Sequence, residues 1–236
     1  MYTEVRLPGI PGTAWTSVST SKSSLSRDEP VAERPVVDKL IGPDGCMDLV
    51  CIDGRIQVIG ADTRSRLYQS VPGSVVTGVR FDPGVLPQLL GIPAHVLADM
   101  QVEAADVLPA GGLARAPVAV AVGHIDGAVT LAALAADLYY KHGRIDPLPV
   151  RAARALDSGQ DIAGVANDLG YSTRQLRRRS LDWYGYGPKH LARVLRYQRA
   201  ANHLNAGFSR TEAAAAAGYA DASHLWRDER DLMLPA

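Results

Sequence analysis

Cysteine is nearly missing from this chain, phenylalanine is scarce, net charge is nil, and no apolar run approaches the length of a membrane helix. Each lack excludes something. A bilayer crossing needs about 20 consecutive apolar residues, and the N-terminus has no basic region leading into an apolar one. A soluble, cytoplasmic protein is therefore expected. Cys46 and Cys51, the two cysteines, stand five positions apart, so on a strand they face opposite sides and cannot be bridged. Without neighbouring histidines they also make no recognisable metal site. The six histidines, at positions 95, 124, 142, 190, 203 and 224, are scattered. None falls on a proposed strand, whereas a metal-holding β-barrel needs histidines converging from strands. A metalloenzyme is excluded on this reading, and no cofactor is expected.

The zero net charge conceals a division. From Arg151 onward there are thirteen Lys and Arg against nine Asp and Glu, a surplus of four, and the preceding residues carry the matching deficit. Arg174 to Arg199 alone holds eight basic residues against Asp182. A localised basic patch is the footprint of phosphate binding.

The patch sits inside a recognisable pattern. Ile162, Val165, Ala166 and Leu169 repeat at spacings of three and four, the mark of a short amphipathic helix. Gly170 stops it, since glycine takes the left-handed conformation cheaply. Ser172 with Gln175 three residues on is a capping box that starts a second helix at once. Two short helices around a glycine turn are a helix-turn-helix, whose second helix can enter the DNA major groove. On that helix Leu176 points inward, Thr173 lies in the first turn, and Arg174, Arg177 and Arg178 share the outer face. An arginine run is by default a solvated helix face. Placed directly after a helix-glycine-cap unit, however, it suits the bidentate grip of arginine on guanine.

The pattern then repeats. Trp183 to Gly187 reads as an aromatic-packed turn, with core packing favoured over base stacking because glycines interleave the rings. Pro188 opens a helix of about 18 residues, with Leu191, Val194, Leu195 and Gln198 on one side and Lys189, Arg193 and Arg196 on another. Arg193 is the candidate phosphate contact. Ala166-x-x-x-Gly170-Tyr171 recurs 48 residues later as Ala214-x-x-x-Gly218-Tyr219. Ser209 with Glu212 caps the third short helix, and Asp221 caps the fourth. A connecting helix of that length spans roughly 27 Å, close to the ~34 Å between successive major-groove faces. One chain can therefore address two base clusters a helical turn apart.

The N-terminal half is read more coarsely. Pro8, Pro11 and the serines of 17–26 suggest loops, with a strand near Ala14 to Val18. Cys46 to Ile52 and Arg55 to Ile59 flank Asp53-Gly54, a strong hairpin signal. Ser74 to Phe81 is a further strand, and Gly84 to Leu90 and Pro93 to Met100 are short helices. Asp44, Asp48, Asp53 and Asp62 offer paired carboxylates, but Asp44 and Asp53 adjoin turn glycines, where aspartate is expected anyway. No catalytic residue is assigned. Arg64, Arg66, Tyr68 and Arg80 are the candidates to line a ligand pocket. Ala114 to Lys141 has helical periodicity, packing on its own domain by default and pairing with a second copy as the alternative. The division expected is a sensor or dimerisation domain at 1–142, a linker at 143–149 containing Pro147 and Pro149, and an all-α domain at 150–236. The fold class is α+β: a β-rich, barrel-like domain with helices, then two helix-turn-helix units joined by a long helix.

Two such units, with GYGPKHLARVLRYQRA between them and GYADASHL in the second, resemble the AraC family of transcription regulators over Asp161 to Arg227. The stretches PDGCMDLV and GVRFDPG look like the sensor domain of an actinobacterial-type subset. The resemblance implies base contacts at Arg174, Arg177 and Arg178, and in the second unit at Ser223, Trp226 and Arg227. It implies double-stranded DNA as partner, a small-molecule effector, a homodimer and a contact to RNA polymerase. Two departures are expected to loosen the second unit. Ala236 falls where the family continues into a bracing helix, and Glu229 stands where an apolar core residue is usual. Ser180 similarly replaces a large apolar residue in the first unit. Two rival readings remain: a DNA-modifying or repair enzyme, which needs a reactive thiol at Cys46 or Cys51, and an interaction protein that has lost operator binding.

Overall fold

The computed structural model describes residues 1–19, 37–108 and 124–235. Parts of two expected segments, the serine-rich stretch at 20–26 and residues 114–123 of the alanine-rich stretch, lie outside them.

The first strands, β1 (Tyr2–Arg6) and β2 (Gly12–Val18), form a hairpin. Next come β3 (Val37–Ile41), β4 (Met47–Ile52), β5 (Arg55–Ile59), β6 (Arg66–Ser70), β7 (Val75–Phe81) and β8 (Gln101–Glu103). Six strands make an antiparallel sheet in the order β1-β2-β7-β4-β5-β8, and β3 pairs with β6 as a separate ribbon. The β4–β5 turn is the expected one: Asp53 and Gly54 both have positive φ, at 49° and 77°, as a two-residue hairpin requires.

Side-chain alternation gives the sheet two different faces. Leu49, Val79 and Phe81 point to a core closed by α3 (His124–His142), which contributes Leu131, Leu134, Ala135 and Leu138. The expected helix thus packs on its own domain. The opposite face, carrying Trp15, Asp48 and Arg80, meets the β3–β6 ribbon across an open cavity. Between sheet and α3 the chain forms α1 (Leu86–Leu90) and α2 (Ala104–Val107). The expected helix from Pro93 to Met100 shrinks to a single 3-10 turn, Ala94–Val96. Asp99, at φ 58°, breaks it and turns its carboxylate to the Thr63 N–H and hydroxyl at 2.7 and 2.8 Å.

The C-terminal half is wholly helical. It comprises α4 (Leu148–Asp157), α5 (Ile162–Asp168), α6 (Thr173–Tyr184), α7 (Pro188–Asn205), α8 (Arg210–Ala216) and α9 (Ala222–Met233). Trp183 and Tyr184, expected in a turn, instead complete the last turn of α6. With Tyr186 they are buried, and Gly185 ends the helix at φ 81°. Leu176, Trp183, Tyr184 and Leu191 belong to one continuous core with Leu49, Phe81 and Leu86 of the N-terminal half. A second, smaller core gathers Val194, Tyr197, Ala214, Tyr219, Leu225 and Leu232 around α7, α8 and α9. The first helix-turn-helix is therefore seated on the sheet domain, while the second has a core of its own.

Candidate nucleic-acid interface

The first unit is built by caps. Asp161 accepts from the Gly164 N–H at 2.7 Å to start α5, and Gly170 at φ 71° closes the turn. Ser172 and Gln175 then satisfy each other's backbone N–H groups at 2.8 and 3.2 Å. These bonds fix the entry angle of α6 before any nucleic acid arrives. Leu176 is fully buried, while Thr173, Arg174, Arg177 and Arg178 are exposed. Among the described residues none of these three arginines has an ion pair. Thr173, Arg174, Arg177, Lys189 and Arg193 line one groove of about 690 Å³ between the start of α6 and the start of α7. Five of the residues singled out in the sequence thus share one surface.

Arg193 differs from the others. Its Nε donates to Asp228 at 2.6 Å and its Nη2 to Asp231 at 2.8 Å, so the guanidinium is turned toward α9. Asp228 accepts a second arginine, Arg196, at 2.9 Å, and Arg196 also lies 4.3 Å from the centre of the Tyr219 ring. Sequence reading missed Asp228. The available signal was its place on the buried stripe of Leu225 and Leu232, where an acid demands a cation.

In the second unit Ser209 and Glu212 form the expected capping box, and Asp221 accepts from the His224 N–H at 2.7 Å. Ser223, Trp226 and Arg227 are exposed on α9, Trp226 beneath the Arg230 guanidinium at 5.1 Å. Glu229 does not leave the gap its charge suggests, because Arg210 of α8 pairs with it. The C-terminal end of α9 is braced from the other domain. Ser65 donates its N–H to the Leu232 carbonyl at 2.7 Å and its hydroxyl to the Met233 carbonyl at 2.8 Å. Ser180 is fully buried with its hydroxyl unpaired, the cost of a small polar residue in an apolar site.

The open face of the sheet holds the second candidate site, a cavity of about 750 Å³. Arg66, Tyr68 and Arg80 line it as expected; Arg64 does not, lying exposed beside buried Ser65. Trp15, Asp48 and Gln198 line it too and were not among the pocket candidates read from the sequence. The alternation Asp48, Val50, Ile52 along β4 was the signal, since it puts a carboxylate on an otherwise apolar face. The Trp15 ring lies directly over Gly78 of β7, where any Cβ would collide with it. Its indole N–H donates to Asp48 at 2.8 Å. Arg66 is held by Asp62 at 2.6 Å, and the Arg80 Nε lies 2.9 Å from Asp44 and 3.8 Å from Asp48. Burial pushes the Asp48 carboxyl up to about 7 despite Arg80.

The cavity's far wall is α7, which presents Gln198 and Asn202, with Gln198 donating to the Pro43 carbonyl at 2.5 Å. His190, from the same helix, meets the Thr63 carbonyl at 3.0 Å. Burial lowers its pKa, so the neutral ring donates there from Nε2. Burial likewise raises both thiols, Cys46 strongly, the reverse of what a reactive thiolate needs. Among the described residues no helix is long and apolar enough to cross a membrane, and no cluster of three or more metal-ligating side chains occurs.

Residues 165–233 match the model of a helix-turn-helix domain family, and residues 24–103 match a domain of unknown function, DUF6597. No curated protein matches the chain. Solved structures similar to it include three of ToxT from Vibrio cholerae, each 11% identical. An apo variant from strain SCE256 has TM-score 0.44 over 97% of this chain and 96% of that one. An unsaturated fatty acid-bound wild type from the same strain has TM-score 0.41 over 99% and 91%. A strain O395 protein bound to (E)-4-(8-methylnaphthalen-1-yl)but-3-enoic acid has 0.43 over 94% of each. Likeness at that level transfers nothing of what ToxT binds. The capped helices and the matched helix-turn-helix domain make this chain a DNA-binding transcription regulator.

Proposed function

We propose that this regulator is not an enzyme, that it reads bases chiefly through α6, and that a small molecule held in the N-terminal cavity modulates it. One observation carries the reading: Arg174, Arg177 and Arg178 stand exposed, without an ion pair among the described residues, on a helix whose start is locked by a capping box. Arg177 reads a base, and Lys189 at the start of α7 holds a phosphate. Ser223, Trp226 and Arg227 make the second, weaker cluster. Arg193, drawn to Asp228 and Asp231, sets the angle of α9 instead of holding a phosphate. Domains at 1–142 and 150–236 joined through 143–149, a cytoplasmic homodimer, and a contact to RNA polymerase complete the reading. The domain bounds rest on the proline and glycine at 143–149 and the location on the lack of a long apolar run; the homodimer and the polymerase contact rest on the family resemblance.

Arg177→Ala is expected to cost about 1–3 kcal/mol on a matched duplex and to relax preference at one base position. Lys189→Ala should weaken matched and scrambled duplexes alike. Binding curves at stated salt check both; equal losses on both duplexes for Arg177→Ala would assign it to the phosphates instead. For the effector, Ser17→Trp fills the cavity from β2. It is expected to shift operator affinity several-fold, and unchanged affinity with the cavity filled counts against effector control.

A further inference from the structure

The cavity's walls carry an unequal set of charges. Asp62 and Arg66 satisfy each other, and Arg66 also reaches the Met100 carbonyl at 3.2 Å. At the exposed rim Lys39 opposes Glu4, which accepts from the Tyr2 hydroxyl at 3.0 Å. On the floor one guanidinium, Arg80, serves two carboxylates, Asp44 and Asp48. Among the described residues that leaves one carboxylate without a matching cation in a half-enclosed space. Charges removed from water are tolerated when they are paired. An anionic ligand would add to the excess and compete for Arg80, the one guanidinium on the floor among the described residues. A cation would remove the excess.

The rest of the cavity suits the body of such a ligand. Val50, Ile52, Ile59 and Val76 give an apolar floor around Asp48. Above it the Trp15 ring lies flat across Gly78, with Tyr2 stacked on it at 6.2 Å and Tyr68 on the ribbon opposite. Aromatic faces next to a carboxylate are the surroundings in which an organic ammonium is held, by ion pairing and by the ring quadrupole together.

We propose that the cavity binds an organic monocation, an ammonium or amidinium group on an aromatic or branched apolar body, with Asp48 as its counter-ion and Trp15 as its aromatic face. This rests on the effector reading of the same cavity and names the chemical class of the effector. Asp48 is faced by Arg80 from β7, Trp15 from β2, Tyr2 from β1, and Asp44, Cys46 and Asp62 from the adjoining loops. Because its carboxyl is partly protonated near neutrality, cation binding displaces a proton, and affinity rises with pH until Asp48 is fully ionised.

Calorimetric titration of the full-length protein with phenethylammonium, 3-phenylpropionate and uncharged 2-phenylethanol reads charge preference on closely similar skeletons. The cation is expected to bind at least about tenfold tighter than the other two. Its affinity should rise between about pH 6 and about pH 8 with proton release. Asp48→Asn should abolish both the preference and the pH dependence; its amide oxygen can still accept from Trp15, so near-UV circular dichroism should report an intact fold. Trp15→Leu should weaken the cation several-fold while keeping the preference. Tighter binding of 3-phenylpropionate overturns the cationic class and leaves the cavity an effector site. Failure of all three probes also overturns it, and the operator affinity of Ser17→Trp then decides separately whether the cavity regulates at all.

Discussion

Asp48 is held with its carboxyl well above the ordinary carboxylate range by burial. The sign of its effect on stability follows from linkage. The folded state binds the proton more tightly than the unfolded chain does. Its contribution is therefore fully present below about pH 4 and is lost as pH rises through about 7. Asp48→Asn should remove that loss, so the variant gains on the parent as pH rises across this window. Thermal midpoints of both proteins from about pH 4 to about pH 8 check it; parallel curves would mean the carboxyl titrates normally. Residues of this kind were hard to read from the sequence. Asp48 was visible as a carboxylate, but its partners Trp15 and Arg80 lie 33 and 32 positions away, and only the register of β2, β4 and β7 brings them together.

Elements were more legible than sites, because caps and turns are local chemistry. Ser172 with Gln175, Ser209 with Glu212 and Asp53-Gly54 each act within four residues, and each forms the cap or turn its spacing predicts. The 3-10 turn at Ala94–Val96 was misread because Asp99 answers to Thr63, a distant partner. The partner of Glu229 was out of local reach for the same reason, since Arg210 stands on another helix. The contact of α7 with α9 illustrates what pattern alone conceals. Asp228, side chain 9% exposed, draws Arg193 and Arg196 together, each about 30% exposed. Removing the acid strands two guanidinium groups that water reaches only in part. Asp228→Ala is expected to cost about 2 kcal/mol, less than a fully buried network would because solvent screens the arginines. Asp228→Asn should cost less, since its amide oxygen still accepts from one of the two arginines. Urea midpoints at unchanged slope measure both; no difference between Ala and Asn would discount the retained hydrogen bond and assign the loss to the charge.

At the scale of the whole molecule, two features tie the halves together. The core runs without interruption from Phe81 and Leu86 to Leu176 and Leu191, and Ser65 holds the last carbonyls of α9. The boundary read from proline and glycine at 143–149 is a short break between two helices, α3 and α4, with Leu148 and Pro149 already in α4, and the packing is shared across it. Urea unfolding is therefore expected to be a single cooperative transition seen alike by circular dichroism and by tryptophan emission. Ser65→Ala, which forfeits the hydroxyl bond to Met233 and keeps the N–H bond to Leu232, should lower stability by about 1 kcal/mol. Two resolved transitions would contradict the shared core.

The helix from Pro188 to Asn205 has two duties at once, as the partition of a chamber and as the rod between two DNA-reading heads. On the proposed effector reading, a tenant of that chamber would lean on the ruler and leave the alphabet alone. Its influence would fall on how far apart the two words of an operator must be written, with the letters of each word still chosen by the same arginines.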